Sequence, residues 1–345
     1  MLRTFIVVAL GSLALMACPG PVVDCRVGAD CASGVCLRDG TCGAVVDSGT
    51  GGGGTDGGGA GGGVAGGGSG GGAGGGTTGG GGGSTTGGGT GGGSVGCIPN
   101  DDGRIDRNEV FFQAGLRATY KISGPASFAT AGTAATDGGR RWDFTTALAG
   151  DTSRLVETKS LQGAWYESDY PDAGYVTEVG DLVGVFGVTN DALYLQGIVS
   201  PASGTTSTKV HYDPWVKVLQ FPLQAGGSWG TTTTVSGTYQ GFVIGNAAFG
   251  TGLPFQQEEY TSTVDRSGDA LTPYATLTAF HALRVRTVMV RSTRIYTLAT
   301  WTPILTLRTF SWNAECFGTV ATVTSTNNET NTEFTDAGEV RRLSN

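Results

Sequence analysis

Leu116-Arg117-Ala118-Thr119-Tyr120-Lys121-Ile122 is the stretch that decides the fold. Its apolar residues fall at every second position with Arg117, Thr119 and Lys121 between them, the period of a strand with one buried and one wet face. Comparable segments recur at 154–159, 192–199, 210–221, 230–239, 258–264, 280–290, 294–299, 305–312 and 319–324. Turn formers lie between them: Asp137-Gly138, Gly150-Asp151, Pro171-Asp172, Ser267-Gly268-Asp269 and Asn327-Asn328. No stretch sustains an apolar period of 3.6 between capping residues, which argues against the intervening helices of a doubly wound fold. Residues 97–345 are long enough for one domain with a substantial core. The expectation is an all-β fold, either an antiparallel β-sandwich or a partly open barrel.

Upstream, residues 49–96 are almost entirely Gly, Ser, Thr and Ala, interrupted by Asp56, Val64 and Val95. With few side chains to bury and a high entropic cost of ordering, this tract reads as a flexible Gly-rich linker. Its root-mean-square span is on the order of 40 Å, and its stretched reach roughly 160 Å. Glycine does not recur at every third position with proline between, so a collagen-type helix is excluded.

The N-terminus begins with Arg3 and a short apolar run ending in Leu15-Met16-Ala17-Cys18. Residues 5–17 are too few for a spanning helix, which needs about 20. The run resembles the lipobox of a bacterial lipoprotein. That resemblance implies removal of residues 1–17 as a signal peptide and acylation of Cys18, with more than one chain for durable anchoring. Pro19 in place of aspartate then implies an outer membrane lipoprotein, facing the periplasm or the cell surface.

Seven cysteines are an awkward number in an oxidising compartment until Cys18 is assigned to lipid. Cys25, Cys31, Cys36 and Cys42 crowd into residues 18–48 among turn-forming Gly and Asp, with too little apolar content to build a core. Two disulfides of open pairing are expected there; zinc is disfavoured because no C-x-x-C pair and no histidine is present. Short knots of this kind are similar to those of myxobacterial-type lipoproteins. Cys97 and Cys316 remain, and a bridge between them would close a loop of more than two hundred residues.

Chemistry-bearing motifs are sparse. With Gly103 as the sixth position of an EF-hand loop, Asn100, Asp102, Asp106 and Glu109 fall at ligand positions, which gives a candidate weak calcium site. Ile98 occupies the first position, however, and the competing reading is a turn followed by one helical turn capped by Asp106 and Glu109. Gly226-Gly227-Ser228-Trp229-Gly230 satisfies G-x-S-x-G, but a strand rather than a helix is expected to follow it. His211 and His281 are the only histidines available as a base, and Glu258-Glu259 and Asp169 the candidate hydrolase carboxylates. Carboxylates on strands usually face solvent. Arg284, Arg286, Arg291, Arg294, Arg308, Arg341 and Arg342 run against the net charge of -8 and read as a solvated outer face. That net charge argues against nucleic-acid binding.

Pro222-Leu223 with Gly226 and Trp229, then Thr272-Pro273 leading to Phe280-His281-Ala282-Leu283-Arg284-Val285, then Trp312 with Gly318-Thr319-Val320, resembles a pattern recurring in β-rich envelope proteins of Gram-negative bacteria. Tyr274-Ala275-Thr276 depart from it by displacing Phe280. The resemblance implies a fold class and a compartment, with no activity. The expected function is therefore a lipid-anchored, non-catalytic cell-envelope protein whose β domain binds or scaffolds a lipid, glycan or protein. The alternative is a secreted-side hydrolase.

Overall fold

The computed structural model describes residues 97, 99–135, 139–246, 251–295 and 300–345. The expected signal peptide 1–17, the expected Cys-rich segment 18–48 with Cys18, Cys25, Cys31, Cys36 and Cys42, the expected linker 49–96, the expected turn at Asp137-Gly138 and residues 296–299 of one expected strand lie outside these. The described residues form strands β1 (Arg104–Ile105), β2 (Arg117–Ser123), β3 (Ala126–Ser127), β4 (Thr133–Ala134), β5 (Arg140–Asp143) and β6 (Thr152–Lys159). There follow β7 (Tyr175–Val179), β8 (Leu182–Val188), β9 (Ala192–Val199), β10 (Lys209–Gln220), β11 (Leu223–Gln224) and β12 (Ser228–Tyr239). The chain ends with β13 (Phe242–Val243), β14 (Phe255–Thr272), β15 (Ala275–Arg294), β16 (Thr302–Ala314), β17 (Gly318–Ser325) and β18 (Asp336–Ser344).

The all-β expectation holds, and the structure resolves which architecture it takes. The neighbours run β12-β10-β9-β8-β7-β6-β2-β18-β17-β16-β15-β14, and β14 pairs back onto β12 to close a barrel of 12 strands. That seam is continuous from Ser228↔Thr263 to Val235↔Gln256, so the barrel is fully closed and no sandwich edge is left at this point. The barrel ladders are antiparallel. A parallel pair joins β5 to the outer half of β14, from Gly268↔Arg140 to Leu271↔Asp143.

That pair corrects the reading of Ser267-Gly268-Asp269 as a turn: the three residues lie inside β14. Gly268 has φ +155, and a Cβ there would run into the backbone of Arg140. The glycine is therefore a point of close backbone approach inside a strand.

Side-chain alternation along β16 divides two cores. Leu305 and Leu307 join Tyr175, Phe186, Leu195, Tyr260 and Leu283 in one cluster, while Phe310, Trp312 and Ala314 join Trp142, Phe144 and Val340 in the other. Trp312 sits 4.9 Å from Phe144 and 5.5 Å from Trp142 in edge-on contacts. All eight residues of β17 are buried, as expected for a wall covered on both faces.

Several late arginines are not the solvated face expected of them. Arg284 is fully buried, and its guanidinium donates to both Asp265 oxygens at 2.9 Å, to Glu333 at 2.7 and 3.1 Å and to the Thr130 carbonyl at 2.6 Å. It also stacks over Phe310 at 4.2 Å. Arg342 is buried against Asp151 and the carbonyls of Phe144 and Thr146. Paired and hydrogen-bonded, such charges are tolerated where lone ones would not be.

Cys97 and Cys316 are bridged across a sequence separation of 219. The bridge ties the start of the module to the β16–β17 turn, and the Cys316 amide donates to the Glu109 carbonyl. The β10–β12 connection and the C-terminus share this stapled end. The turns β7–β8, β9–β10, β12–β13 and β17–β18, the end of β15 and the start of β16 lie at the opposite, far end. Replacing both cysteines by serine should lower stability by about 5 kcal/mol in the loop-entropy account. Denaturant unfolding of the full chain measures this, and an unchanged midpoint would show that the bridge does not constrain the module.

Candidate functional site

Four of the six most exposed large apolar side chains among the described residues stand at the far end: Phe242, Val243, Ile295 and Ile304. Strand order makes them neighbours, because β13 continues along β12 on the side that β14 occupies, and β15 and β16 follow. Arg294 lies over the rings of Phe255 and Trp301 at 5.3 and 4.8 Å, adding a cation to the same patch. Clustered exposed apolar side chains of this sort mark contact surfaces.

Beneath this rim, inside the barrel, Glu258 is 1% exposed and faces Arg291 directly across the β14–β15 ladder. Arg291 Nε and Nη2 both reach Glu258 Oε1, at 2.7 and 2.6 Å, and Tyr260 donates its hydroxyl to Oε2. Burial, then the Glu258 charge, pushes the phenols of Tyr260 and Tyr212 well above the ordinary tyrosine range. A cavity of about 40 Å³ adjoins the pair, lined also by Tyr239, Ile244, Gln256 and Leu182. This volume is large enough for a water molecule and too small for a lipid tail. The Glu258-Glu259 doublet thus splits between faces, with Glu258 inside and Glu259 exposed, as strand alternation requires.

A second depression opens where β6 and β7 diverge. These strands pair only at Thr158↔Thr177 and Lys159↔Val176, whereas β2–β6 shares six pairs and β7–β8 five. The resulting groove has a volume of about 230 Å³ and reaches the Gly180-Asp181 turn. Arg154 and Glu178 pair across it at 2.8 Å.

The sequence-derived candidates are placed as follows. Asp106 caps a one-turn helix, Arg107–Glu109, with Glu109 completing a reciprocal capping box. The Asp106 carboxylate is held by Arg104 at 2.6 Å, Asn100 Nδ2 donates to Glu109 at 2.9 Å, and the Asn100 amide donates to Glu315 at 2.6 Å. Burial, with Glu315 and Asp106 nearby, raises the Glu109 carboxyl. No group of three His, Cys, Asp or Glu among the described residues is arranged to hold a metal. Ser228 is exposed and opens β12, so the G-x-S-x-G string is followed by strand. His211 lies opposite Ser236, eight residues along β12 and roughly 25 Å from Ser228. Burial under the stacked Tyr170 ring, 4.7 Å away, lowers the His211 pKa. His281 faces Asp269, with Nδ1 3.8 Å from Oδ1, and Asp169 pairs with Lys209 at 3.0 Å. These groups do not converge on Ser228. Among the described residues no helix is long and apolar enough to cross a membrane.

Sequence reasoning missed both the buried pair and the groove. A charged residue on a strand looks the same whether its cross-strand partner is water or an arginine, and the long-range β14–β15 register decides which. No protein-family model matches this chain, and no curated protein matches it. Among solved structures it resembles a protein provisionally designated a lipoprotein from Parabacteroides distasonis, at 11% identity and a TM-score of 0.29, over 68% of this chain and 96% of that one. It also resembles a provisionally designated exported protein with a YmcC-like fold from Bacteroides fragilis, at 11% identity and a TM-score of 0.23, over 68% and 97%. Superpositions this loose carry no argument about function.

The Glu258–Arg291 pair yields a stability test. Arg291→Met leaves a buried carboxylate without its counter-charge and should cost about 3–5 kcal/mol, whereas Arg291→Met with Glu258→Leu should recover most of it. Equal losses in the single and double variants, read by denaturant unfolding, would show that the pair is not the cause.

Proposed function

We propose that this chain is a lipid-anchored envelope protein, held through Cys18 in the outer membrane, whose barrel is a non-catalytic module that presents its far end to an envelope partner. The observation that carries the reading is polarity of layout. The bridge Cys97–Cys316 fixes the point where the chain enters at one end, and the exposed Phe242, Val243, Ile295 and Ile304 stand at the other. A Gly-rich stretch of residues 49–96 leading into the stapled end would give that far end reach away from the anchor. An apolar patch with a cation at its edge suits a contact surface. The separation of Ser228 from both histidines gives hydrolysis no comparable support. Calcium at Asn100, Asp102, Asp106 and Glu109 would have to displace Arg104 from Asp106, so the loop is better read as the capped entry to the barrel.

Two measurements on intact cells test this reading. Cys18→Ala should move the protein out of the membrane fraction, and retention there would remove the anchor. A photoreactive side chain at Phe242 or Ile304 should give a discrete cross-linked adduct that the same group at Arg107, at the stapled end, does not. Adducts from all three positions, or from none, would contradict docking through the far end.

A further inference from the structure

The two strand pairs that carry the exposed apolar side chains of the far end are also without charge there. In a chain of net charge -8, no Asp, Glu, Lys or Arg occurs from 240 to 257 or from 295 to 307. Both pairs run on past the strands beside them. The last β16–β17 pair is Thr309↔Thr324, whereas β15 and β16 stay paired as far as Thr293↔Thr302, roughly 23 Å further along the strand. β12 likewise leaves β14 after Val235↔Gln256 and continues to Tyr239↔Phe242. Phe242 and Ile295 are 52 and 55% exposed, and Arg294 lies over the half-buried Trp301 at 4.8 Å.

We propose that these strand ends dock on the lipid bilayer in which Cys18 is anchored. The inference rests on the reading of the far end as the contact surface of an anchored chain, and names the partner. Projecting apolar side chains without charge, with a tryptophan and an arginine among them, have the composition of a membrane–water interface. Asp181 and Glu329 belong to the β7–β8 and β17–β18 turns, so the barrel would approach with its β12–β16 side foremost. The chain ahead of residue 97 fits this occupant. β12, with 12 residues, is roughly 40 Å long, and the 48-residue Gly-rich stretch 49–96 would have a root-mean-square span of the same order. A tethered contact is most favoured when the span of the tether matches the distance to be bridged. The reach that separates the far end from its anchor point therefore also lets it turn back to the leaflet holding that anchor. The competing occupant is a second copy of the chain. Four half-exposed side chains offer on the order of 400 Å², half of the roughly 800 Å² per partner in a standard interface. A two-fold contact would also set two Arg294 side chains against strand ends that hold no carboxylate.

Tryptophan emission of the full lipidated chain in phosphatidylethanolamine–phosphatidylglycerol vesicles tests the proposal, with plain and chain-brominated lipids compared. The expected result is weaker emission with the brominated lipids. That loss should disappear in Trp301→Phe and in the double variant Ile295→Asp with Ile304→Asp, both keeping the circular dichroism of the parent. Emission indifferent to bromination, or a loss kept in full by both variants, overturns the proposal. Photocapture from Phe242 in cells separates it from the broader reading. A lipid adduct supports the bilayer; a protein adduct without quenching, a second copy included, removes the bilayer and keeps the docking end. Absence of both quenching and any adduct removes the two together.

Discussion

The pairing of β14 with β12 is the constraint on which the rest of the molecule depends. β14 is 18 residues long, and a strand of that length left open on one side would be a template for aggregation. Its first half is covered by β12, from Gln256 to Thr263, and its outer half by β5, from Gly268 to Leu271. The change of partner coincides with the irregularity between Val264 and Arg266, where the strand can bend from one neighbour to the other. β15 pairs along its other side, so most of its backbone is satisfied on both edges.

Closure also determines where charge can go. Once β12 and β14 meet, alternate residues of β14 from Gln256 to Val264 face the interior, and Glu258 is carried inside with Tyr260. Its charge is tolerable only because the β14–β15 register sets Arg291 opposite. Outside the same wall, Arg284 is buried with its guanidinium donors distributed over Asp265, Glu333 and Thr130. In both places the register of long strands decides whether a formal charge is solvated or paired. The β6–β7 contact, with two ladder pairs, is the shortest in the barrel wall.

The class of the fold was legible because period-two alternation in stretches such as 116–122 and 305–312 follows from burial of one face. The Cys97–Cys316 bridge was legible from thiol parity, and the Asp106–Glu109 capping box from spacing. What escaped has a common physical origin. β7 and β8, running Tyr175–Val179 and Leu182–Val188, are buried on both sides over much of their length and so show little alternation. Gly268 looks like a turn former because a glycine at a close backbone approach and a turn glycine share one residue type. The buried arginines and Glu258 depend on partners far along the chain, from Asp265, 19 residues before Arg284, to Asp151, 191 residues before Arg342, and no local pattern records those contacts.

Hydrogen exchange at the β12–β14 seam tests the account most directly. If the barrel is closed, amides of Thr231 to Val235 and of Gln256 to Thr263 exchange as slowly as those of the β16–β17 ladder, with opening governed by global unfolding. Exchange along these segments much faster than in β16 and β17 would mean an open edge. It would also withdraw the enclosed Glu258–Arg291 pair and the two-ended layout built on it.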